Sequence, residues 1–491
     1  MVIPKEVKSV IAKLKKKGYE AYIVGGCVRD FLRGVEPKDW DITTNAKPEE
    51  IRKTFARSFY ENKFLTVTVQ TASKDPTLKE IEVTTYRSEA KYTDKRHPDE
   101  VKYAKTLEED LARRDFTVNA MAVGLTPGVA RETPGVEDPF GGQKDLETKF
   151  LRTVGEPEER FGEDALRMMR AVRFAVTLGE DWQIEPKTAE AIKKNAPWLQ
   201  AISHERVRDE LLKIIMSERA MEGISLLREL TLLKYIIPEL EEGYGVGQNK
   251  HHIYNCYEHS LLSLKYAAQK GFNMEVRLSA LLHDVGKPRA KRGEGQDSTF
   301  YNHEVIGARM TAGILNRLKF PTKEIEKITK LVRYHLFYYN VDEVGDSSVR
   351  RLVRQVGPEN MEELLQVRMS DRIGSGVPKA EPYKLRHLKY VVEKVSRDPI
   401  SAKMLKADGN DVMKQLKIGP GPKIGQILDV LLGHVLNDPK NNKKEWLEKE
   451  IAKLGKLSDK ELKDLAEEGR KEREKLETKR DQMTKSKYWV T

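Results

Sequence analysis

The sequence predicts an α+β protein, with an N-terminal domain of mixed strands and helices followed by regions that are helical throughout. Strand signals, apolar or β-branched runs bounded by turn residues, occur at Ala21–Val24, Thr66–Thr71 and Ile81–Thr85. Pro48–Phe55 has the pattern of a helix between two such strands. From Glu163 onward the spacing of apolar residues is helical almost everywhere.

Breaks rich in glycine and proline divide the chain into four predicted domains. They fall at Thr133–Leu146, Glu241–His252 and Arg372–Pro382, and such clusters mark turns between regular segments. The length of 491 residues agrees with this division, since about 150 residues per domain gives three or four domains. The predicted domains are residues 1–148, 149–245, 246–380 and 381–491.

The composition favours a soluble cytoplasmic protein with a polyanionic partner. The net charge of +11 favours nucleic acid, with a lysine-rich solubilising surface as the alternative. No apolar run approaches the roughly 20 residues of a membrane helix, and the charged amphipathic N-terminus lacks the features of a signal peptide. Two cysteines, Cys27 and Cys256, exclude a disulfide framework and a cysteine-built zinc site.

Asp39 and Asp41 are candidate ligands for metal ions. Side chains two apart on a strand point to the same face, so these carboxylates would converge and repel unless a cation lies between them. Oxygen ligands suit magnesium or manganese, and two such ions about 3.5–4 Å apart can activate a hydroxyl and stabilise a leaving phosphate. Glu82, on a predicted strand, is the best candidate for the third ligand, with Glu80 as the competing one.

Gly25 and Gly26 predict a phosphate-binding turn beside these carboxylates. Glycines directly after a strand let backbone N–H groups approach a triphosphate, and the following helix and Arg29 add positive charge. The stretch lacks the GxxxxGK[ST] pattern of a Walker loop. An Asp-x-Asp alone is more often a polar strand edge, but together with the glycines it predicts phosphoryl or nucleotidyl transfer.

The run LEEDLARRDFTVNAMA carries more polar groups than a buried segment needs. Its beginning fits a surface helix capped by Thr106 with Glu109. Arg114, Asp115 and Asn119 then lie among apolar residues, and this mixture predicts a wall with one face open to water.

The motifs GGCVRD…DWD, RRDFTVNA and EDALRMMRAVRFA, in this order, resemble the class II tRNA nucleotidyltransferase and poly(A) polymerase family. The resemblance covers at least Ile23–Leu240. It implies a polymerase-beta-like head that carries the magnesium site, followed by a helical neck, body and tail. It also implies template-independent transfer of CMP and AMP from CTP and ATP to the 3′ end of tRNA.

The segment from Glu163 to Arg173 predicts a helix with one apolar stripe and one polar arc, to which Asp164, Arg167 and Arg170 belong. Arg173 falls beside the stripe and therefore needs an anionic partner. The family resemblance implies that Asp164 and Arg167 hydrogen-bond the Watson–Crick edge of the incoming base; the alternative is a surface salt-bridge ladder. The predicted nucleotide-binding set is Gly25, Gly26, Arg29, Arg114, Asp115, Asn119, Asp164, Arg167, Arg170 and Arg173.

Histidines and aspartates embedded in apolar helical segments predict a second metal site. Each such group needs a polar partner when buried, and imidazole with carboxylate suits zinc, nickel, iron or manganese. The pattern resembles the HD phosphohydrolase superfamily, including its binuclear members, which implies activity on phosphate esters such as 2′,3′-cyclic phosphates of damaged tRNA. Lys287 and Arg289 would suit a phosphate substrate. The candidate ligands are His259, His283, Asp284, His303, His335 and Asp371.

Several alternatives remain open at this point. Within the family, the enzyme would be a poly(A) polymerase or add only CC or only A, and Arg87–Leu107 is the expected flexible element that governs the switch from C to A. From another class, it would be a phosphohydrolase with a nucleotide-sensing head, or an RNA-binding protein without activity. The charged end, Lys440–Thr491, predicts a capped solvated or partner-docking helix, and the oligomeric state is left open.

Overall fold

The computed structural model describes residues 3–61, 65–90, 100–125, 135–248, 253–396 and 401–490. They form two compact units, Met1–Leu336 with Gln366–Pro378, and Phe337–Leu365 with Lys379–Thr491. The four predicted domain limits stay a prediction. Across the described ranges, none of the helices combines the length and the apolar character that crossing a bilayer requires.

Strands are confined to the first part of the described chain, and helices continue to its end. The strands are β1 (Ala21–Val24), β2 (Asp41–Thr44), β3 (Ser58–Glu61), β4 (Thr66–Gln70), β5 (Glu80–Thr85), β6 (Arg87–Ala90), β7 (Glu100–Tyr103), β8 (Ala122–Gly124), β9 (Gly135–Glu137), β10 (Phe150–Leu151) and β11 (Gln183–Ile184). The helices of the first half are α1 (Lys5–Lys16), α2 (Gly26–Leu32), α3 (Pro48–Thr54), α4 (Leu107–Ala112), α5 (Gly142–Thr148), α6 (Pro157–Glu163), α7 (Leu166–Thr177), α8 (Pro186–Asn195), α9 (His204–Ile215), α10 (Ala220–Glu229), α11 (Leu233–Ile236) and α12 (Pro238–Glu241). Those of the second half are α13 (Cys256–Gln269), α14 (Met274–Leu282), α15 (Lys287–Ala290), α16 (His303–Arg317), α17 (Thr322–Tyr334), α18 (Asp346–Val356), α19 (Met361–Gly374), α20 (Tyr383–Ser396), α21 (Gly409–Leu416), α22 (Pro422–Asn437), α23 (Lys444–Leu454) and α24 (Asp459–Lys487).

The head contains a sheet with the strand order β3-β4-β5-β2-β1-β8-β9. The β2–β5 pair is parallel and the other pairs are antiparallel, so the sheet is mixed, as predicted. Helices α1 and α3 cover one face, where Ile11 and Ile51 join Ile42, Val67 and Val83 in one buried cluster. Since side chains alternate along a strand, the polar residues of β5 lie on the opposite face.

The predicted strands and the predicted helix at Pro48 are found within one residue of their expected ends. Beyond the head, a continuous apolar core runs from Phe116 to Val332 and includes residues of α7, α9, α14 and α16. The predicted α+β class, a mixed head followed by helices, is therefore confirmed.

The second unit has a core of its own, formed mainly by α21 to α24, with Leu431 and Ile451 among its buried residues. Its long last helix, α24, begins at the predicted capping box. The backbone N–H of Glu461 donates to Ser458 Oγ, and the Ser458 N–H donates to the Glu461 carboxylate at 2.9 Å.

Candidate active site and metal centre

Asp41 and Glu82 face each other across two adjacent strands of the head. The parallel register of β2 and β5 pairs Asp41 with Glu82, whereas Glu80 lies opposite Gln70 of the next strand, β4. Ile81 is buried in the core and Glu82 is exposed on the other face of the sheet. The register therefore brings Glu82, rather than Glu80, beside Asp41.

Asp39 does not lie on β2, because the strand begins at Asp41. The expectation that Asp39 and Asp41 share one face of a strand is therefore wrong, although the two residues remain close enough to interact. Burial raises the pKa of Asp41 to about 6, the Asp39 and Glu82 carboxylates add to this rise, and the Arg114 guanidinium opposes it.

The three carboxylates of the head are a donor set that fits magnesium. A cation beside Asp41 would relieve the repulsion between the carboxylates, and magnesium prefers oxygen ligands. In the described part of the chain, these carboxylates do not bring one oxygen each to within 4.8 Å of one another. A shared cation would therefore have to draw the three carboxylates closer together.

The turn after β1 holds Gly25 in a conformation that other residues rarely adopt. Gly25 has a φ of +84°, and a Cβ atom there would lie 2.9 Å from Arg114 Nη1 and 3.4 Å from Asp41 Oδ2. Helix α2 starts directly afterwards, at Gly26, and carries Arg29, whose Nη1 donates to Asn119 Oδ1 at 2.8 Å. The predicted phosphate-binding turn and the helix after it therefore lie beside two of the predicted nucleotide-binding residues, Arg114 and Asn119.

Asp115 links this wall to α7. Its carboxylate accepts from Asn119 Nδ2 at 3.1 Å and from Arg170 Nε at 2.7 Å. Burial by itself would raise the pKa of Asp115, but the Arg170 guanidinium, the hydrogen bond from Asn119 and the Arg167 guanidinium together outweigh burial and hold that pKa well below its usual range. Arg29, Asn119, Asp115 and Arg170 therefore form one continuous polar network.

Asp164 is not part of the helix in which the sequence pattern placed it. Helix α6 ends at Glu163, α7 begins at Leu166, and Asp164 has an extended backbone between them, with φ −143° and ψ 104°. Its Oδ1 accepts from the Leu166 N–H at 3.0 Å, so it caps the start of α7. Arg206 of α9, which the sequence analysis did not single out, donates to both of its oxygens.

Arg167 and Arg173 of α7 are each held by a carboxylate of a neighbouring helix. Arg167 is buried and pairs with Glu163 at 2.5 Å, so the salt-bridge alternative describes this residue in part. Its Nη2 also donates to the carbonyl of Arg113 at 3.0 Å. Arg173 pairs with Glu210 of α9 at 3.1 Å, which supplies the anionic partner that its position beside the apolar stripe requires.

Most of the polar side chains described above line one cavity of about 470 Å³. One wall comes from α9, which carries none of the predicted site residues. Arg206, Glu210 and Lys213 repeat at helical spacing, and this polar face was the available signal. The predicted residues that line the cavity are Arg114, Asp115, Asp164, Arg167 and Arg170.

The predicted histidines and aspartates of the helical region meet in two groups that share Asp284. In the first group, one atom each of His259, His283, Asp284 and Asp371 lie within 4.8 Å of one another, and the two histidine Nε2 atoms are 2.9 Å apart. In the second, Asp284 Oδ1 lies 3.3 Å from His303 Nε2 and 3.6 Å from His335 Nε2. All six residues are buried.

Backbone carbonyls fix three of the four imidazole rings. Nδ1 of His283, His303 and His335 lies within 2.9 Å of the carbonyls of Ala280, Phe300 and Val332 respectively. A carbonyl only accepts, so each Nδ1 carries a hydrogen and each Nε2 faces the cluster, where it would become a metal ligand on losing any proton it carries.

The electrostatics of the cluster also fit a cation. Although burial lowers the pKa of His283, Asp284 and Asp371 outweigh it and raise that pKa to about 10. Six buried imidazole and carboxylate groups in two sets, joined by one carboxylate, are a donor set for two transition-metal ions.

Gly286 allows α15 and α16 to approach closely. A Cβ atom at this position would lie 2.3 Å from the carbonyl of His303 and 2.5 Å from the Gly307 N–H. This close approach brings His303 beside Asp284. Pro288 lies in the first turn of α15.

A cavity of about 690 Å³ opens beside the cluster, with Asp284 and Asp371 in its lining. Lys287 contributes its ammonium group, 2.6 Å from Asp284 Oδ2. Arg289 was expected here, but it pairs with Glu242 at 2.6 Å instead, because the turn of α15 carries it away from Lys287. The other cations in the lining, Arg368 and Arg372, flank Asp371 on α19 and were missed.

A mixed-sheet head with carboxylates beside a glycine turn, joined to helices with a buried His/Asp centre, defines a nucleotidyltransferase coupled to an HD-type metal domain. Residues 21–152 match the poly A polymerase head domain, 181–243 match the "probable RNA and SrmB- binding site of polymerase A", and 256–373 match the HD domain. The chain belongs to the tRNA nucleotidyltransferase and poly(A) polymerase family, so the predicted family is confirmed.

Relatives cover most of the chain. An A-adding tRNA nucleotidyltransferase of Deinococcus radiodurans is 34% identical over 84% of this chain and 90% of its own. A CCA-adding enzyme of Ligilactobacillus salivarius is 31% identical over 91% of this chain and 99% of its own.

Solved structures share the fold. The Bacillus stearothermophilus CCA-adding enzyme in complex with CTP is 28% identical, with a TM-score of 0.57 over 92% of this chain and 98% of its own. The Thermotoga maritima CCA-adding enzyme complexed with tRNA is 20% identical, with a TM-score of 0.52 over 92% and 96% of the two chains, and has a similar fold.

Proposed function

We propose that this nucleotidyltransferase adds CMP and AMP from CTP and ATP to the 3′ end of tRNA and so builds or repairs the CCA sequence. The observation that carries the proposal is the register of β2 and β5, which sets Asp41 against Glu82 beside the Gly25 turn. The relatives named for CCA addition support it, as do the similar structures described with CTP and with tRNA. A cytoplasmic location stays a prediction.

In this proposal, Asp39, Asp41 and Glu82 hold two magnesium ions. When bound, magnesium activates the attacking hydroxyl and stabilises charge on the leaving pyrophosphate. The backbone of Gly25 and Gly26 would receive the triphosphate, with Arg29 adding a charge that Asn119 orients at 2.8 Å.

The cavity between α7 and α9 selects the nucleotide. Asp164 offers acceptors and Arg167 a planar fork of donors to the Watson–Crick edge of the base. The remaining predicted nucleotide-binding residues, Arg114, Asp115, Asn119, Arg170 and Arg173, would hold the sugar and phosphates or position the residues that do.

Addition to defined tRNA ends tests this specificity. With tRNA that lacks the whole CCA end, we expect incorporation of label from CTP first and then from ATP; with tRNA that lacks only the terminal A, we expect incorporation from ATP alone. Addition of A but not C would make the enzyme A-adding, like its Deinococcus radiodurans relative, and long A tails would make it a poly(A) polymerase. Addition of C but never A would make it CC-adding.

The element expected to govern the switch from C to A is only partly described. Its ends form the ladder of β6 and β7, which pairs Arg87 with Tyr103, and residues 91–99 lie outside the described residues.

Glu82 and Glu80 offer a matched test of the third metal ligand. We expect Glu82→Gln to lower kcat for CMP addition about a hundredfold, because an amide binds magnesium far more weakly than a carboxylate. Glu80→Gln, two residues away on the same strand, should leave kcat at the wild-type level. Equal effects of the two substitutions on kcat would contradict the assignment of Glu82.

A second activity, hydrolysis of phosphate esters at the HD centre, is favoured by one observation. The two ligand groups that share Asp284 border a cavity whose lining also carries Lys287, Arg368 and Arg372. A pair of transition-metal ions would supply a nucleophile at neutral pH, and these three cations would bind the phosphate. A 2′,3′-cyclic phosphate at a damaged tRNA end is a substrate of this class.

A further inference from the structure

Arg206 contacts the residue proposed to select the base. Its Nη2 donates to Asp164 Oδ2 at 2.6 Å, and its Nη1 donates to Asp164 Oδ1 at 3.4 Å. The side chain is about one-third exposed, and it lines the cavity together with Asp164 and Arg167. This pairing uses acceptors of Asp164 that a base could otherwise use.

We propose that Arg206 is a positioning residue for base selection, which fixes the orientation and the remaining acceptor of Asp164. This inference rests on the proposed role of Asp164 in choosing the nucleotide. No substrate contact is assigned to Arg206 itself; it acts through the carboxylate that it holds.

The contact with Arg206 limits the acceptors that Asp164 can offer to a base. A carboxylate has about four acceptor sites, two on each oxygen. On Oδ1, one site is used by the Leu166 N–H and one by Arg206; on Oδ2, Arg206 uses one. A single acceptor site remains on Oδ2, with a direction fixed by the guanidinium fork and by the start of α7.

One fixed acceptor discriminates between nucleobases. Cytosine and adenine carry an exocyclic amino group, which donates, where uracil and guanine carry a carbonyl oxygen, which accepts. A carboxylate with one oriented acceptor bonds the first pair and repels the second. A carboxylate free to rotate would lose part of this discrimination, because it could turn away from a carbonyl oxygen.

Helix α9 is a rigid support for this arrangement. Val207, Leu211 and Ile214 anchor it in the core, and Glu210, on its polar face, pairs with Arg173 of α7. A guanidinium on such an anchored helix can hold a partner within the small tolerance that recognition requires.

The test measures kcat/KM for CTP over UTP and for ATP over GTP, with the full-length enzyme and tRNA ends that accept C or A. We expect Arg206→Ala to lower both ratios about tenfold, the effect of one oriented hydrogen bond to a charged group. Arg206→Lys keeps the charge but loses the fork, so it should bind tRNA like the wild type and still show lowered ratios. Arg208→Ala is the matched control, because it removes one positive charge from the same helix at a residue that pairs with Asp209.

The outcomes separate this inference from the function on which it rests. Wild-type ratios in Arg206→Ala would overturn it, and so would an equal loss with all four triphosphates in both Arg206 variants, which is the behaviour of a scaffold residue. Asp164→Ala is measured in parallel. If Asp164→Ala keeps the wild-type ratios, the proposed base selection fails; if it loses them while Arg206→Ala does not, only the role of Arg206 fails.

Discussion

Asp41→Ala is expected to abolish addition of both CMP and AMP to tRNA. The carboxylate is set against Glu82 by the strand register, so the substitution removes a proposed metal ligand from this pair. Losing about 4 kcal/mol of transition-state stabilisation corresponds to about a thousandfold in rate. Single-turnover assays with labelled CTP and saturating tRNA measure this loss, and binding of tRNA should stay at the wild-type level.

Asp75→Ala is the control for this experiment, because it removes a carboxylate from an exposed loop of the same head. It should add CMP and AMP like the wild type. Retained nucleotide addition in Asp41→Ala would refute the metal-site assignment. Absence of addition in the wild-type enzyme itself, together with phosphate-ester hydrolysis, would favour the alternative of a phosphohydrolase with a nucleotide-sensing head.

His283→Ala is expected to impair phosphate-ester hydrolysis at the HD centre and to leave nucleotide addition intact, which is the reverse of the effect of Asp41→Ala. Its Nε2 lies 2.9 Å from His259 Nε2 and 3.2 Å from Asp284 Oδ2, so its loss opens the first ligand group. We expect less bound transition metal per chain and at least about a hundredfold slower hydrolysis of a 2′,3′-cyclic nucleotide. Elemental analysis of the purified protein and a hydrolysis assay with added manganese or nickel measure the two effects.

CMP addition by the same preparation shows whether the His283→Ala protein is folded, and it should remain at the wild-type level. His434→Ala, in the second unit, is the control for loss of a histidine outside the cluster. Unchanged metal content and unchanged hydrolysis in His283→Ala would make the cluster structural. Hydrolysis by neither the wild type nor the variant would remove the proposed second activity.

The head could be predicted from sequence because its signals are local. A strand alternates with period two, so the exposure of Glu82 beside the buried Ile81 follows from β5 alone. The same rule failed for Asp39, because whether a residue belongs to a strand depends on a partner strand, and β2 begins pairing at Asp41. For the same reason, the choice between Glu80 and Glu82 required the register.

In the cavity between α7 and α9, which is proposed to select the nucleotide, the periodicity of single segments did not predict the structure correctly. Treating Asp164 as part of a continuous helix gave it the wrong backbone, because the break at Asp164 and Ala165 has no proline to mark it and the nearby Gly162 lies inside α6. Arg206 and Glu210 were missed because an amphipathic pattern identifies a polar face without saying what that face meets. Beside the HD centre, Lys287 and Arg289 are close in sequence, but they lie on different sides of α15: Lys287 pairs with Asp284 and Arg289 with Glu242.

By itself, the sequence determined the α+β class and the family and supplied the candidate groups of both sites, since composition, spacing and motif order are properties of the chain. Only the tertiary structure decided which of those groups meet: Asp41 with Glu82, Asp164 with Arg206, and Asp284 with two sets of ligands. Each of these pairings joins segments far apart in the chain. They arise from strand register and from the packing of helices around shared cores, and neither is encoded in the periodicity of a single segment.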